Sequence, residues 1–239
     1  MKRCLIPGAI CLLFLLITAI ILFVYCRLMS QAAVPTIAPA EREDYTLVLD
    51  AGHGGLDGGA VAPDGTRESQ LNLEIVLRME KLCRLMGIPA VLTRASDSLD
   101  YPDNNLTIRQ KKVWDQKNRV EQVAETENAL LISIHQNTFP DSRPWGTEVL
   151  YARTEGSKEL GEAVHAALVR CLNPENRRVA MPISDSIYLM RSVRCPAILV
   201  ECGFLSNASD VDRLKSPAYQ KQLSVIVLGT YLQYLSSPG

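Results

Sequence analysis

Three polar side chains stand where apolar runs of the chain end. Thr46-Leu-Val-Leu49 leads into Asp50-Ala-Gly-His53, Leu130-Leu-Ile-Ser-Ile134 into His135, and Ala197-Ile-Leu-Val200 into Glu201. His53 and His135 are two of only three histidines in 239 residues, so a role particular to imidazole has to be weighed at both positions. Neutral imidazole is the commonest protein ligand for zinc, although a histidine closing a buried strand also serves as an ordinary hydrogen-bonded group. A catalytic zinc site takes three protein ligands, often two histidines and a glutamate, and leaves a fourth position for water or substrate. Glu68 is the best third ligand, because it opens a helix just after the glycine-rich turn, where the chain returns toward His53. As a first-turn acid it also complements the helix dipole, and the sequence leaves both readings open. Glu201 is harder to explain structurally, since an acid after four apolar residues is costly to bury unpaired; beside a metal it is the candidate general base.

The residues around these four divide between chemistry and support. Asp50 and Asp57 can orient ligating imidazoles from behind, or act as cap and turn acids. Gly52, Gly54 and Gly55 allow tight backbone turns near a metal and substrate, or simply make a loop. His165 lies beside the apolar face of Leu160, Val164 and Leu168 rather than on it, and reads as a packing or solvated group. No GxSxG elbow, P-loop or GxGxxG occurs, which removes the usual support for a serine hydrolase, a P-loop enzyme or a dinucleotide-binding dehydrogenase.

For the four candidates to meet, the strands that carry them must lie side by side with their carboxyl ends on one edge. From Tyr45 the chain alternates short apolar runs with helical periodicity. Strands are predicted at Thr46–Leu49, Ile88–Thr93, Ala129–Ile134, Thr147–Ala152, Ile187–Met190 and Ala197–Val200. Helices are predicted at Glu68–Met86 with Gly87 as the stop, around Leu106–Ala124, at Ser157–Leu172 and at Ala218–Leu235. The alternation predicts an α/β fold: a single domain built on a mostly parallel twisted sheet of about six strands, with helices on both faces. In such a sheet the ligand crevice lies outside the carboxyl ends of the strands.

An apolar fraction of 47% with 21% charged residues gives ample material for a core. The net charge of −1 carries no nucleic-acid footprint, so no nucleic-acid partner is expected. Ahead of the domain, Met1-Lys-Arg precedes an uncharged run from Cys4 to Cys26. At about 1.5 Å per residue that run spans the roughly 30 Å hydrocarbon layer, longer than the core of a cleaved signal peptide. The expected organisation is a transmembrane signal anchor over 1–29, a proline-containing linker over 30–44 and a catalytic domain over 45–239. Lys2 and Arg3 against a lone Arg27 favour an inside N-terminus and an extracytoplasmic domain. No CxxC pair exists, and Cys195 and Cys202 flank a strand too long for a disulfide between them, so buried thiols are expected.

The pieces LDAGHGGLDGGA (Leu49 to Ala60), Glu68 with Leu71-Asn72, LTRASD (Leu92 to Asp97), SIHQN (Ser133 to Asn137) and VECGFLSN (Val200 to Asn207) resemble, in order, the zinc-dependent N-acetylmuramoyl-L-alanine amidases of bacterial cell-wall hydrolysis. The resemblance implies one Zn²⁺ bound by His53, Glu68 and His135, Glu201 as the catalytic glutamate, and peptidoglycan as substrate. Arg94 and Arg119 are candidates for contact with the anionic glycopeptide or for support of the sheet, and Asn137 is a further candidate substrate contact. Size, layout and Asn176-Arg-Arg178 before Tyr188-Leu-Met look like the spore-cortex branch, which helps make muramic δ-lactam. Gln136 and Cys202 depart from the small residues usual at their positions. Few residues separate His135 from the next strand, so an open groove is predicted there. Two readings compete with this one: a zinc peptidase cutting within the stem peptide, and a membrane-tethered peptidoglycan-binding module without catalysis.

Overall fold

Strands β1 (Thr46–Ala51) and β3 (Ala129–Asn137) are buried along nearly their whole length, as strands in the middle of a parallel sheet must be when helices cover both sides. They pair in parallel, with Leu49 opposite Ile132 and Asp50 opposite Ser133. Strand β6 (Ala197–Phe204) continues the sheet parallel to β3 and sets Glu201 opposite His135. Strand β2 (Ala90–Leu92) forms one edge beside β1, while β4 (Glu148–Tyr151) runs antiparallel to β6 and carries the two-residue strand β5 (Met181–Pro182) at the other edge. The order is β2-β1-β3-β6-β4-β5, a six-stranded, mostly parallel sheet.

This computed structural model describes residues 45–103 and 105–236, together with Thr18. The signal anchor over 1–29 and the linker over 30–44 lie outside the described residues. Among the described residues no helix is long and apolar enough to cross a membrane.

Helices cover both faces of the sheet. On one side Leu47, Leu49, Ile132, Ile134 and Val200 pack with Ile75 and Met79 of α1 (Glu68–Met86), with Leu160 and Val164 of α3 (Ser157–Leu172), and with Leu223 and Val227 of α6 (Pro217–Ser236). On the other side Val48, Leu131 and Leu199 pack with Val123 of α2 (Ile108–Glu125) and with Leu189 and Met190 of α4 (Tyr188–Ser192). Alternate residues of β1 and β3 thus feed opposite cores, as the period of two requires. Helix α1 ends where Gly87 takes a φ of 67°, and α2 starts on a capping box made by Thr107 and Gln110.

Four elements differ from the pattern read in the sequence. Ile187–Met190, predicted as a strand, lies at the start of α4: the adjacent Leu189 and Met190 are both buried in one cluster, which a helical turn allows and a strand would oppose. The sixth strand is instead Met181–Pro182, too short and too exposed to leave an apolar signature. Helix α5 (Ala208–Leu214), capped by the Asn207 side chain accepting from the Asp210 amide, is an addition. The second strand is also shorter than predicted, because Pro89 at its entrance has no N–H to pair. Cys83, Cys171, Cys195 and Cys202 are free; Cys83 and Cys202 are buried, Cys195 half-buried and Cys171 exposed.

Candidate metal centre

The carboxyl ends of β1, β3 and β6 come together at one rim. After β1 the chain turns through Gly52 into His53, whose φ of 60° is a left-handed conformation unusual for a side-chain-bearing residue. A side chain at Gly52 would strike the His135 ring, so only glycine lets the β1 turn pass this close to the end of β3. Gly59, at φ 67°, brings the loop back so that Glu68 can enter the site from the first turn of α1; a Cβ there would sit 2.8 Å from His53 Cδ2.

The result is a two-histidine, one-glutamate group. Glu68 Oε1 lies 2.8 Å from His135 Nδ1 and 3.3 Å from His53 Nε2, and ligand atoms of all three residues fall within 4.8 Å of one another. With metal–ligand bonds near 2.0–2.2 Å, the ligand atoms of a tetrahedral zinc stand roughly 3.3 Å apart. The donor set and spacing therefore fit a zinc ion, which His53, Glu68 and His135 would hold; His53 and His135 are half-exposed.

Neighbouring groups fix how each ligand presents itself. Glu68 Oε2 accepts from the Ala60 amide at 2.9 Å, which leaves Oε1 facing both imidazoles. Asp57 Oδ2 stands 3.1 Å from His53 Nδ1, and Lys112 meets the other Asp57 oxygen at 2.8 Å. Holding Nδ1 in this way points Nε2 at Glu68, the arrangement in which a carboxylate orients a ligating imidazole. Burial by itself would lower the His53 pKa, but the Asp57 and Glu68 carboxylates on either side raise it to about 9. Burial pushes Glu68 up, yet the His135 and His53 rings hold it well below the usual carboxylate range. A cation bound here must displace the His53 proton, because the ligating form of imidazole is neutral.

Glu201 faces this group from β6, in register with His135. Its Oε2 is buried and has no hydrogen-bond partner among the described residues. Burial pushes its carboxyl up to about 7, against a downward pull from His135 and with further upward pushes from Glu68 and Glu148. A carboxyl near neutrality can both take and return a proton. Glu148, which sits opposite Glu201 across the antiparallel β4 pairing, had no signal in the sequence beyond its place just inside a strand.

The remaining candidates are distributed differently from the ligands. Asp57 lies against His53, but Asp50 touches neither imidazole: its oxygens accept from Thr93 at 2.7 Å, Arg119 at 2.6 Å and Ser133 at 2.5 Å. Arg119 and Arg94 are buried and support the rim rather than facing solvent. Arg119 donates to Ala51 and His53 carbonyls at 2.7 and 2.6 Å, and Arg94 to those of Ala51, Gly52 and Ser69 at 2.8, 3.1 and 2.7 Å. Of the two roles open for these arginines, support is the one their contacts make. Asn137 is half-buried and donates to Glu148 Oε2 at 3.0 Å. His165 is buried beside the Arg178 carbonyl, 2.8 Å from its Nε2, in a packing role away from the centre. From Thr138 to Thr147 the chain runs without a helix, so no helix in that connection covers the end of β3.

A family model described as N-acetylmuramoyl-L-alanine amidase matches residues 47–229. The germination-specific N-acetylmuramoyl-L-alanine amidase of Bacillus subtilis is 31% identical over 194 residues, 81% of each chain. The structure of the CwlD amidase from Clostridioides difficile, solved in complex with the GerS lipoprotein, is 37% identical with a TM-score of 0.77 and aligns with 80% of this chain and 98% of its own. The N-acetylmuramoyl-L-alanine amidase AmiC2 of Nostoc punctiforme is 27% identical with a TM-score of 0.67, over 82% of this chain and 99% of its own.

Proposed function

This chain belongs to the family of N-acetylmuramoyl-L-alanine amidases, acting on peptidoglycan, and from that premise we propose that it works with one zinc ion held by His53, Glu68 and His135 and with Glu201 as catalytic base and acid. The bond concerned joins the lactyl group of N-acetylmuramic acid to the L-alanine of the stem peptide. The observation that carries the reading is the meeting of the three ligand atoms within 4.8 Å, with Glu201 in register beside them.

Bound zinc supplies Lewis acidity toward the scissile carbonyl and toward the attacking water. Every other step falls to groups of this chain. Glu201 takes the proton of the attacking water and passes it to the departing L-alanine nitrogen, so that the amine leaves neutral. Asp57 holds the His53 ring so that Nε2 remains the ligand atom, and the Ala60 amide holds Glu68 so that Oε1 does. The open end of β3 gives a glycan strand room to lie across the rim.

What supports a spore-cortex role, with formation of muramic δ-lactam, is likeness to the germination-specific amidase of Bacillus subtilis. The uncharged run from Cys4 to Cys26 supports a transmembrane anchor, and the lysine and arginine before it support an extracytoplasmic catalytic domain. The test is to digest purified peptidoglycan with the full chain while measuring its zinc content. One zinc per chain, new L-alanine amino termini and intact muramic acid are expected by mass spectrometry. Equal cleavage by zinc-free protein, or undiminished zinc content after His53 and His135 are both replaced, would overturn the metal reading.

A further inference from the structure

One buried side chain bonds to one proposed ligand and to a chain neighbour of each of the other two. Asn72 lies one turn beyond Glu68 on α1 and is fully buried. Its Nδ2 donates to the carbonyl of Gly52, the residue before His53, at 3.0 Å, and to Glu68 Oε1 at 3.4 Å. Its Oδ1 accepts from Nε2 of Gln136, the residue after His135, at 3.1 Å. The backbone amide of Gln136, also buried, donates to the same Glu68 Oε1 at 3.1 Å.

We propose that Asn72, held in orientation by Gln136, is the positioning residue of the metal centre, fixing the segments that carry His53, Glu68 and His135 at one mutual distance and so setting the affinity for zinc. The inference rests on the zinc reading above. A primary amide is asymmetric, with an oxygen that only accepts and a nitrogen that only donates. Reversing Asn72 would set its oxygen against the Gly52 carbonyl and the Glu68 carboxylate, and its NH₂ against that of Gln136. Three contacts would turn repulsive together, in a buried setting where each counts heavily. The fold alone gives no reason for an amide here. Its buried neighbours on α1 are Glu68 and Ser69 toward the site and Leu71, Ile75 and Val76 toward the core, and a leucine would serve the core side as well. Only ties to Gly52, Glu68 and Gln136 call for a polar group. Gln136 donates its Nε2 to Asn72, while its buried Oε1 has no hydrogen-bond partner among the described residues, so its effect on the ligands passes through Asn72 and through its own backbone N–H.

Asn72→Leu keeps the branched shape of the side chain and Gln136→Met roughly its length, and each removes the amide. Zinc affinity of the full chain is measured by competition with a chromophoric chelator, and the melting temperature of the zinc-free protein is measured in parallel. Each variant is expected to bind zinc about 10–100-fold more weakly, the loss typical of removing a group that orients a metal ligand. The double variant is expected to lose little more than Asn72→Leu alone, since the two act in series. Parent-like affinity in a folded variant, or fully additive losses, would overturn the proposal. So would failure of the milder Gln136→Met to fold without zinc, which would assign the amide to the fold. A parent chain that binds no zinc would sink the zinc reading and this inference with it, whereas zinc bound equally by parent and variants would sink this inference alone.

Discussion

His53 and Glu68, two of the three proposed ligands, carry the same logic at the level of the side chain: each is held in its orientation by a neighbour. Asp57 turns His53, the Ala60 amide turns Glu68, and the left-handed backbone at His53 aims the ring inward. The residue types were legible in the sequence because imidazole is scarce in this chain and because an acid after Ala-Ile-Leu-Val needs a reason to be there. Asn72 was visible only as part of a matching piece with no role of its own, since hydrogen bonds to groups 20 and 64 positions away leave no mark on local pattern. Glu201 differs from the other three in that its buried Oε2 is unpartnered. Replacing it with glutamine removes the proton acceptor while leaving shape and the three ligands in place. Turnover of the Glu201→Gln variant is expected to fall about 10²–10⁴-fold with one zinc still bound. Loss of zinc from that variant would make Glu201 a ligand instead.

Among elements, the carboxyl end of β1 is braced by a buried ionic cluster. Asp50 on β1 pairs with Arg119 of α2, which also bonds Asp115, and Arg119 and Arg94 between them hold the carbonyls of Ala51, Gly52 and His53. The sequence could not say whether these arginines faced substrate or sheet, because neither the helical pattern around Arg119 nor the strand end before Arg94 fixes which way a long side chain turns. Packing of α2 against the sheet turns Arg119 inward, and the carbonyls of Ala51, Gly52 and Ser69 hold Arg94. Burial pushes the Asp50 carboxyl up, but the Arg119 charge, His135 nearby and hydrogen bonds from Ser133 and Thr93 hold it at about 2, below its ordinary 3.8. A depressed folded-state value stabilises the fold above pH 3.8 and the contribution is lost as pH falls toward 2. The gap corresponds to about 2 kcal/mol. Asp50→Asn is expected to be destabilised by about 3–5 kcal/mol at pH 7, because Arg119 is left buried with one carboxylate fewer. Its acid limb is expected to be flatter between pH 4 and 2. Denaturant unfolding of both proteins across that range measures it, and parallel pH profiles would remove Asp50 from the linkage.

For the molecule as a whole, the sheet order brings the site together, and the proposed anchor carries the prediction of where the chain resides. The full chain produced in bacteria is expected in the membrane fraction after an alkaline wash, with its amidase unit open to protease added outside spheroplasts. Recovery of full-length chain in the soluble fraction would overturn the anchor. An α/β fold with a mostly parallel sheet was legible because strands buried on both sides read as continuous apolar runs and amphipathic helices recur every 3.6 residues. The same physics hid Met181–Pro182 and disguised Tyr188–Ser192, since a pair of residues has no period and a short apolar run fits helix or strand alike. The sequence by itself determined which residues could bind a metal or move a proton and that apolar strands end beside three of them, because side-chain chemistry and burial period are local properties. Tertiary structure alone decided that β1, β3 and β6 are neighbours, that Glu68 swings back across them, and that Asn72, Asp50 and two arginines hold the rim. Those are contacts between distant segments, and their energies depend on distances that no local pattern encodes.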